Sequence, residues 1–129
     1  MTIIFMTGIA SWQDFDSISK MITDFKRSFN NLIIVSGDCK FGADKIIKNV
    51  CESEDIKHES KPTNYKLGLN AVHLRNFKAI LAIKPEIIVF FGKENSYPHQ
   101  KYMILKDQAK LMIHVTPDSK KYTLMNRLT

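Results

Sequence analysis

Long hydrophobic runs are missing from this sequence. No stretch approaches the roughly 18–20 apolar residues needed to cross a bilayer. The N-terminus has no succession of basic stretch, apolar core and small-residue cleavage site, so neither an anchor nor a secretory leader is expected. Cysteine is scarce, with only Cys39 and Cys51. They form no CxxC pair and no histidine completes a zinc set, which argues against a metal site and for two free thiols in a reducing cytosol. Glycine is scarce as well, five in 129 residues, and none belongs to a GxGxxG fingerprint or a Walker loop. GxSxG, HExxH and an ordered Ser-His-Asp set are also absent, which leaves no nucleophilic constellation to build on. Linkers, repeats and low-complexity segments are not visible, so residues 1–129 read as a single domain.

What is present is ordinary globular composition, 44% hydrophobic and 25% charged, enough for one core without covalent staples. The formal net charge of +6 favours anionic partners such as nucleotides, phosphates or nucleic acid. The lysines are spread along the chain, however, as on solvated helix faces. Abundant Lys, Ile and Asn match the bias of an AT-rich coding genome, bacterial or viral.

Four short apolar runs each end at a turn residue. They are Thr2 to Thr7 before Gly8, Ile33 to Ser36 before Gly37, Glu86 to Phe91 before Gly92, and Leu111 to Val115 before Pro117. Continuous apolarity of this length marks strands buried on both faces of a parallel sheet. Ile56 to Glu59 alternates and suits a sheet edge. Between the runs lie helical patterns. Phe15, Ile18, Met21, Ile22, Phe25 and Phe29 follow one helix face, with Asp14 or Asp16 as its cap. Ala43, Ile46, Ile47 and Val50 mark a second helix, Leu74 to Ile83 a third, and Tyr102 to Ala109 a fourth. The expected fold is therefore α/β, a Rossmann-like three-layer sandwich with a mainly parallel five-stranded sheet. Residues 117–129 read as a polar, basic tail segment, open to a short strand, a helix or a loose end.

Ligands of such a fold bind at the carboxyl ends of the strands. The first loop there carries Thr7, Gly8, Ser11 and Trp12. Its amides and hydroxyls suit a phosphate, and Trp12, like Tyr97, suits either base stacking or packing. The second loop carries Gly37, Asp38, Cys39, Lys40, Gly42 and Asp44. Asp44 suits helix-dipole stabilisation or, more sharply, a ribose hydroxyl or a neighbouring loop. Arg75 and Asn76 open the third helix, where the dipole opposes a cation unless an anion lies near. Gly92, Lys93, Glu94, Ser96 and His99 lead into the fourth helix. Asp38, Asp44 and Glu94 are the carboxylates available for catalysis.

Taken together, Thr7-Gly8, Trp12 and Asp14, Val35-Ser36-Gly37, Gly42-Ala43-Asp44, Gly68, Ala71, Arg75-Asn76 and Val89 to Gly92 resemble the SLOG superfamily, in its stand-alone YspA-like branch. That superfamily also holds the Lonely Guy phosphoribohydrolases and the Rossmann-like domain of the DNA-processing protein DprA. The resemblance spans about residues 3–116. It implies binding of nucleotides or nucleotide-derived molecules. Some members cleave N-glycosidic bonds and others sense cyclic ADP-ribose-type signals. The matching site positions are Thr7, Gly8, Gly37, Asp44, Arg75, Asn76 and Gly92. The sequence departs from the pattern at Ile9-Ala10, where members carry a Gly-Ser or Gly-Arg, and at His99-Gln100, where they carry Gly-Thr. Asn64 or Tyr65 stands at a family tryptophan, and the hydrolase motif Gly-Gly-x-Gly-Thr-x-x-Glu is absent.

The resulting expectation is a cytoplasmic binder of a nucleotide-derived small molecule of ADP-ribose or cyclic ADP-ribose type. It would act by sequestering a signal, in the host cytoplasm if the gene is viral. An N-glycosidase or phosphoribohydrolase-like enzyme is the alternative. Single-stranded nucleic-acid binding ranks last, because few aromatics interleave with the basic residues. No cofactor, metal or membrane is expected, and relatives of this kind suggest a homo-oligomer.

Overall fold

The structure, a computed structural model, describes residues 1–37, 39–61, 84–92, 111–116 and 122–126. Strand β1 (Thr2–Gly8) leads through α1 (Phe15–Ser28) to β2 (Leu32–Gly37), and α2 (Ala43–Ser53) leads to β3 (Lys57–Lys61). Strands β4 (Ile87–Phe91), β5 (Leu111–Val115) and β6 (Tyr122–Asn126) follow. The sheet order is β3-β2-β1-β4-β5-β6. The first five strands are mutually parallel, and β6 pairs antiparallel with β5. This is the Rossmann-like parallel sheet expected from the apolar runs. The sixth strand is an addition to it. Of the options open for the polar tail segment, part of it takes the short strand, since an edge strand needs only one ladder of backbone hydrogen bonds and no continuous apolar run. The third and fourth expected helices lie outside the described residues.

Helix α1 begins where Asp14 caps it, a carboxylate oxygen accepting from the amide of Ser17 at 3.3 Å. Lys26 and Arg27 occupy its last turn, where the dipole favours cations. Of the expected apolar stripe, Ile18, Met21, Ile22 and Phe25 are buried, whereas Phe15 is half exposed. The stripe therefore starts one turn later than its periodicity suggests. Helices α1 and α2 pack against each other, and their apolar faces join Ile4, Met6, Ile34, Val89, Phe91 and Val115 in one core. Register explains the set, since Ile4 stands beside both Ile34 and Ile87. The alternate residues Phe5, Ile88, Phe90 and Met112 are fully buried too, so both sheet faces are covered, as three layers require. No helix among the described residues is long and apolar enough to cross a membrane.

Strand order reverses at β1, with β2 and β3 to one side and β4 and β5 to the other. The crevice rule places a ligand at the carboxyl ends flanking this reversal. Thr7, Gly8, Gly37 and Gly92 all reach that edge.

Candidate functional site

The first two loops meet at the start of α2. Gly8 ends β1 so close to the helix that a Cβ there would stand 2.7 Å from the Cβ of Ala43. Only a residue without a side chain permits that approach. The chain after Gly8 is then stitched down. The amide of Ile9 donates to the carbonyl of Phe91 at 3.0 Å. The carbonyl of Ile9 accepts from Trp12 and from Ala43 at 3.2 and 3.3 Å. Two amides of the first loop, at Ile9 and Trp12, are thus committed to the protein itself.

Asp44 makes the link between the loops. It is buried, and Oδ1 accepts from the hydroxyl of Thr7 at 2.8 Å. Oδ2 accepts from the amide of Cys39 at 3.4 Å. Gly42 holds the N-cap position with no side-chain cap. Asp44 stands in the first turn of α2, where its charge suits the helix dipole, and the same carboxylate holds the neighbouring loops through Thr7 and Cys39. Trp12 is 4% exposed. Its indole N–H donates to the carbonyl of Asp14 at 3.0 Å, and its ring packs 5.4 Å from that of Phe91. Packing, not base stacking, is therefore its place in this structure. Ser11 and Lys40 are exposed beside the edge. Gly92 is buried, its amide donating to Val115 at 3.0 Å, and His114 Nε2 is 2.7 Å from its carbonyl oxygen. Asp38, Arg75, Asn76, Lys93, Glu94, Ser96, Tyr97 and His99 lie outside the described residues.

A cleft of about 300 Å³ opens next to this junction, on the β3 side of it. Its walls are the second loop at Gly37, Cys39 and Lys40, the face of α2 at Lys45 and Lys48, and Ser60 of β3. Buried Asp44 and exposed Asn49 also line it. Sequence reasoning found Gly37, Lys40 and Asp44. It missed Lys45, Lys48, Asn49 and Ser60, which look like a solvated helix face and an edge strand. The available signal was the i, i+3 spacing of two lysines directly behind Gly-Ala-Asp, which sets both on one side of the helix.

Sequence reasoning also passed over His58. It shares a 2.8 Å hydrogen bond with the hydroxyl of fully buried Ser36. That hydroxyl is 2.9 Å from the carbonyl of Gly37. With the hydroxyl proton directed to Gly37, the ring's Nε2–H donates to Ser36. Burial lowers the pKa of His58 below 6.5, and Lys48 adds to the effect, while Glu52 and Glu59 oppose it. The folded state therefore resists taking a proton that the unfolded chain accepts. Stability is full above pH 6.5 and is lost as pH falls below it towards the folded value. His58→Gln keeps a donor for Ser36 but does not titrate. Melting temperatures measured from about pH 7.5 down to about pH 5 should fall less steeply in the variant than in the parent. Parallel curves would remove His58 as the cause.

Both cysteines are free. Burial pushes the thiol of Cys51 up to about 12, so it stays protonated and inert at neutral pH. Among the described residues no group of three or more His, Cys, Asp or Glu side chains is placed to hold a metal. Compared with protein-family models, with curated proteins and with solved structures, the chain matches none.

Proposed function

We propose that the chain binds a nucleotide-derived small molecule, of ADP-ribose or cyclic ADP-ribose type, and acts by sequestering it. The observation that carries this reading is the basic cleft at the carboxyl edge of the sheet, beside loops that Asp44 clasps together. The Rossmann-like strand order agrees with membership of the SLOG superfamily, which is part of the same proposal. With Trp12 in the core, Phe41 is the better candidate for stacking on a base. It is 70% exposed in the second loop, and a bare ring at a ligand edge suits that role. A homo-oligomer working in the cytoplasm, of the host if the gene is viral, completes the proposal.

The geometry of Asp44 favours binding over N-glycoside cleavage. Its carboxylate is engaged by Thr7 and Cys39, whereas a nucleophile or oxocarbenium stabiliser must face the substrate. Calorimetry with ADP-ribose, its cyclic isomers, AMP and NAD tests the proposal. Binding of at least one at sub-millimolar concentration, with the ligand recovered unchanged, is expected. No binding by any of them would defeat it.

Arg75 is proposed to contact a phosphate of the same ligand. Arg75→Ala should then weaken binding roughly 10- to 150-fold, the equivalent of one charge-assisted hydrogen bond. Arg75→Lys should not restore it, because the forked geometry is lost. The melting temperature of the ligand-free protein should hardly change. A variant that binds like the parent but melts well below it would make Arg75 structural instead.

A further inference from the structure

We infer that the cleft between α2 and the ends of β2 and β3 is a phosphate subsite, in which Lys45 and Lys48, with Asn49 and Ser60 beside them, receive a phosphate group of the ligand. The inference rests on the proposed nucleotide-derived ligand and assigns part of it a place.

Charge is the first argument. Lys40, Lys45 and Lys48 line one small cleft, and among the described residues none of them forms an ion pair. The ion pair that is described, Lys26 with Glu54, joins α1 to the end of α2. The carboxylate of the cleft, Asp44, is turned to Thr7 and Cys39. The space is therefore lined by three lysines and by a carboxylate held by internal hydrogen bonds.

Helix energetics supply the second argument. Lys45 belongs to the first turn of α2 (Ala43–Ser53), at the positive end of the helix dipole, where a cation is unfavourable. Lys48 follows at i+3 and repels it. Asn49, at i+4, stands on the same face. A stabilising sequence would put a carboxylate at the Lys45 position. An anion in the cleft adds an attraction to each lysine that offsets both costs.

Size and position complete the case. About 300 Å³ is at the lower end of small-molecule sites, suited to one end of a nucleotide more than to a whole dinucleotide. The cleft shares Gly37 and Lys40 with the second loop, so one ligand can extend from it towards the strand reversal at β1. Ser60 faces Ser36 in the register of β3 and β2, and its hydroxyl at the wall can donate to a phosphate oxygen as the lysines do.

Backbone amide shifts in the full chain test this with three probes, ADP-ribose, adenosine and inorganic pyrophosphate. ADP-ribose and pyrophosphate should move the amides of Lys45, Lys48 and Ser60, and adenosine should not. The double variant Lys45→Gln, Lys48→Gln should bind ADP-ribose about tenfold or more weakly, and the parent's affinity should fall with added salt. Both side chains are exposed, so the variant should melt no lower than the parent. ADP-ribose that binds while leaving those amides and the double variant's affinity unchanged would overturn the subsite and leave the nucleotide reading intact. Pyrophosphate shifting the cleft while no nucleotide binds would uphold the subsite and sink the nucleotide reading. Silence from both phosphate probes would overturn the subsite.

Discussion

Asp44→Ala should lower the melting temperature by about 10 °C, a loss of about 3 kcal/mol in a domain of this size. The carboxylate is 6% exposed and accepts from Thr7 Oγ1 and from the Cys39 amide. Removing it leaves two donors without that acceptor. Thr7 is itself only 2% exposed, so water cannot readily replace the lost partner, and an orphaned buried donor costs about 1–3 kcal/mol. Asp44→Asn should lose about half as much, because one side-chain oxygen remains for Thr7 while the amide group meets the Cys39 N–H donor to donor. Thr7→Val removes the other half of the pair at nearly constant volume. If the two side chains act through their hydrogen bond, urea unfolding of the single and double variants should show a coupling of about 1 kcal/mol or more. Additive losses would mean that Asp44 stabilises only the helix dipole and that the clasp between the loops contributes nothing.

That clasp also marks how far the sequence could be read. Strands β1, β2, β4 and β5 were legible because a strand buried on both faces must be apolar at every position, and Ile4 with Phe5, or Ile88 with Val89, satisfy both faces at once. Strand β3 was legible as an edge through its alternation. Strand β6 was legible only as one option among strand, helix and loose tail, because pairing on one side asks little of its composition. Turn chemistry exposed Gly37 and Gly42-Ala43-Asp44 as a strand-to-helix loop. It did not show what Asp44 holds, since Thr7 lies 37 residues away and no local pattern encodes a contact that only the parallel crossover creates. Trp12 was left between stacking and packing for the converse reason. Its place in a ligand-edge loop suggested exposure, yet the chain folds back after Gly8 and drives the ring against Phe91. Of the cleft's lysines, Lys40 stood out between two glycines, whereas Lys45 and Lys48 were passed over because their i, i+3 spacing marks a solvated helix face as readily as a ligand-facing one. The difference lies in Ser60 and Gly37, which close the space around Lys45 and Lys48.

Gly42→Ala should be at least as damaging as Asp44→Ala, at about 3 kcal/mol or more, for a reason confined to the backbone. Gly42 has φ of 72° and ψ of −143°, close to a region that essentially only glycine occupies. A Cβ there would stand 2.5 Å from the carbonyl oxygen of Ile9. That oxygen cannot retreat cheaply, because it accepts from both Ala43 and Trp12. Moving it would unpick the first loop and the start of α2 together. Asparagine separates this account from a simpler one. It tolerates a left-handed helical residue, where ψ is near +47°, but gains nothing at a ψ of opposite sign. Gly42→Asn should therefore be as unstable as Gly42→Ala, measured by the urea midpoint. Recovery by asparagine would show that the turn needs only a positive φ and that the contact with Ile9 can relax. The consequence for binding follows from the same geometry. Gly42 holds the second loop against the first, and Cys39 and Lys40 form one wall of the cleft. Any Gly42 variant that still folds should bind ADP-ribose more weakly than the parent, even at temperatures where it is fully native.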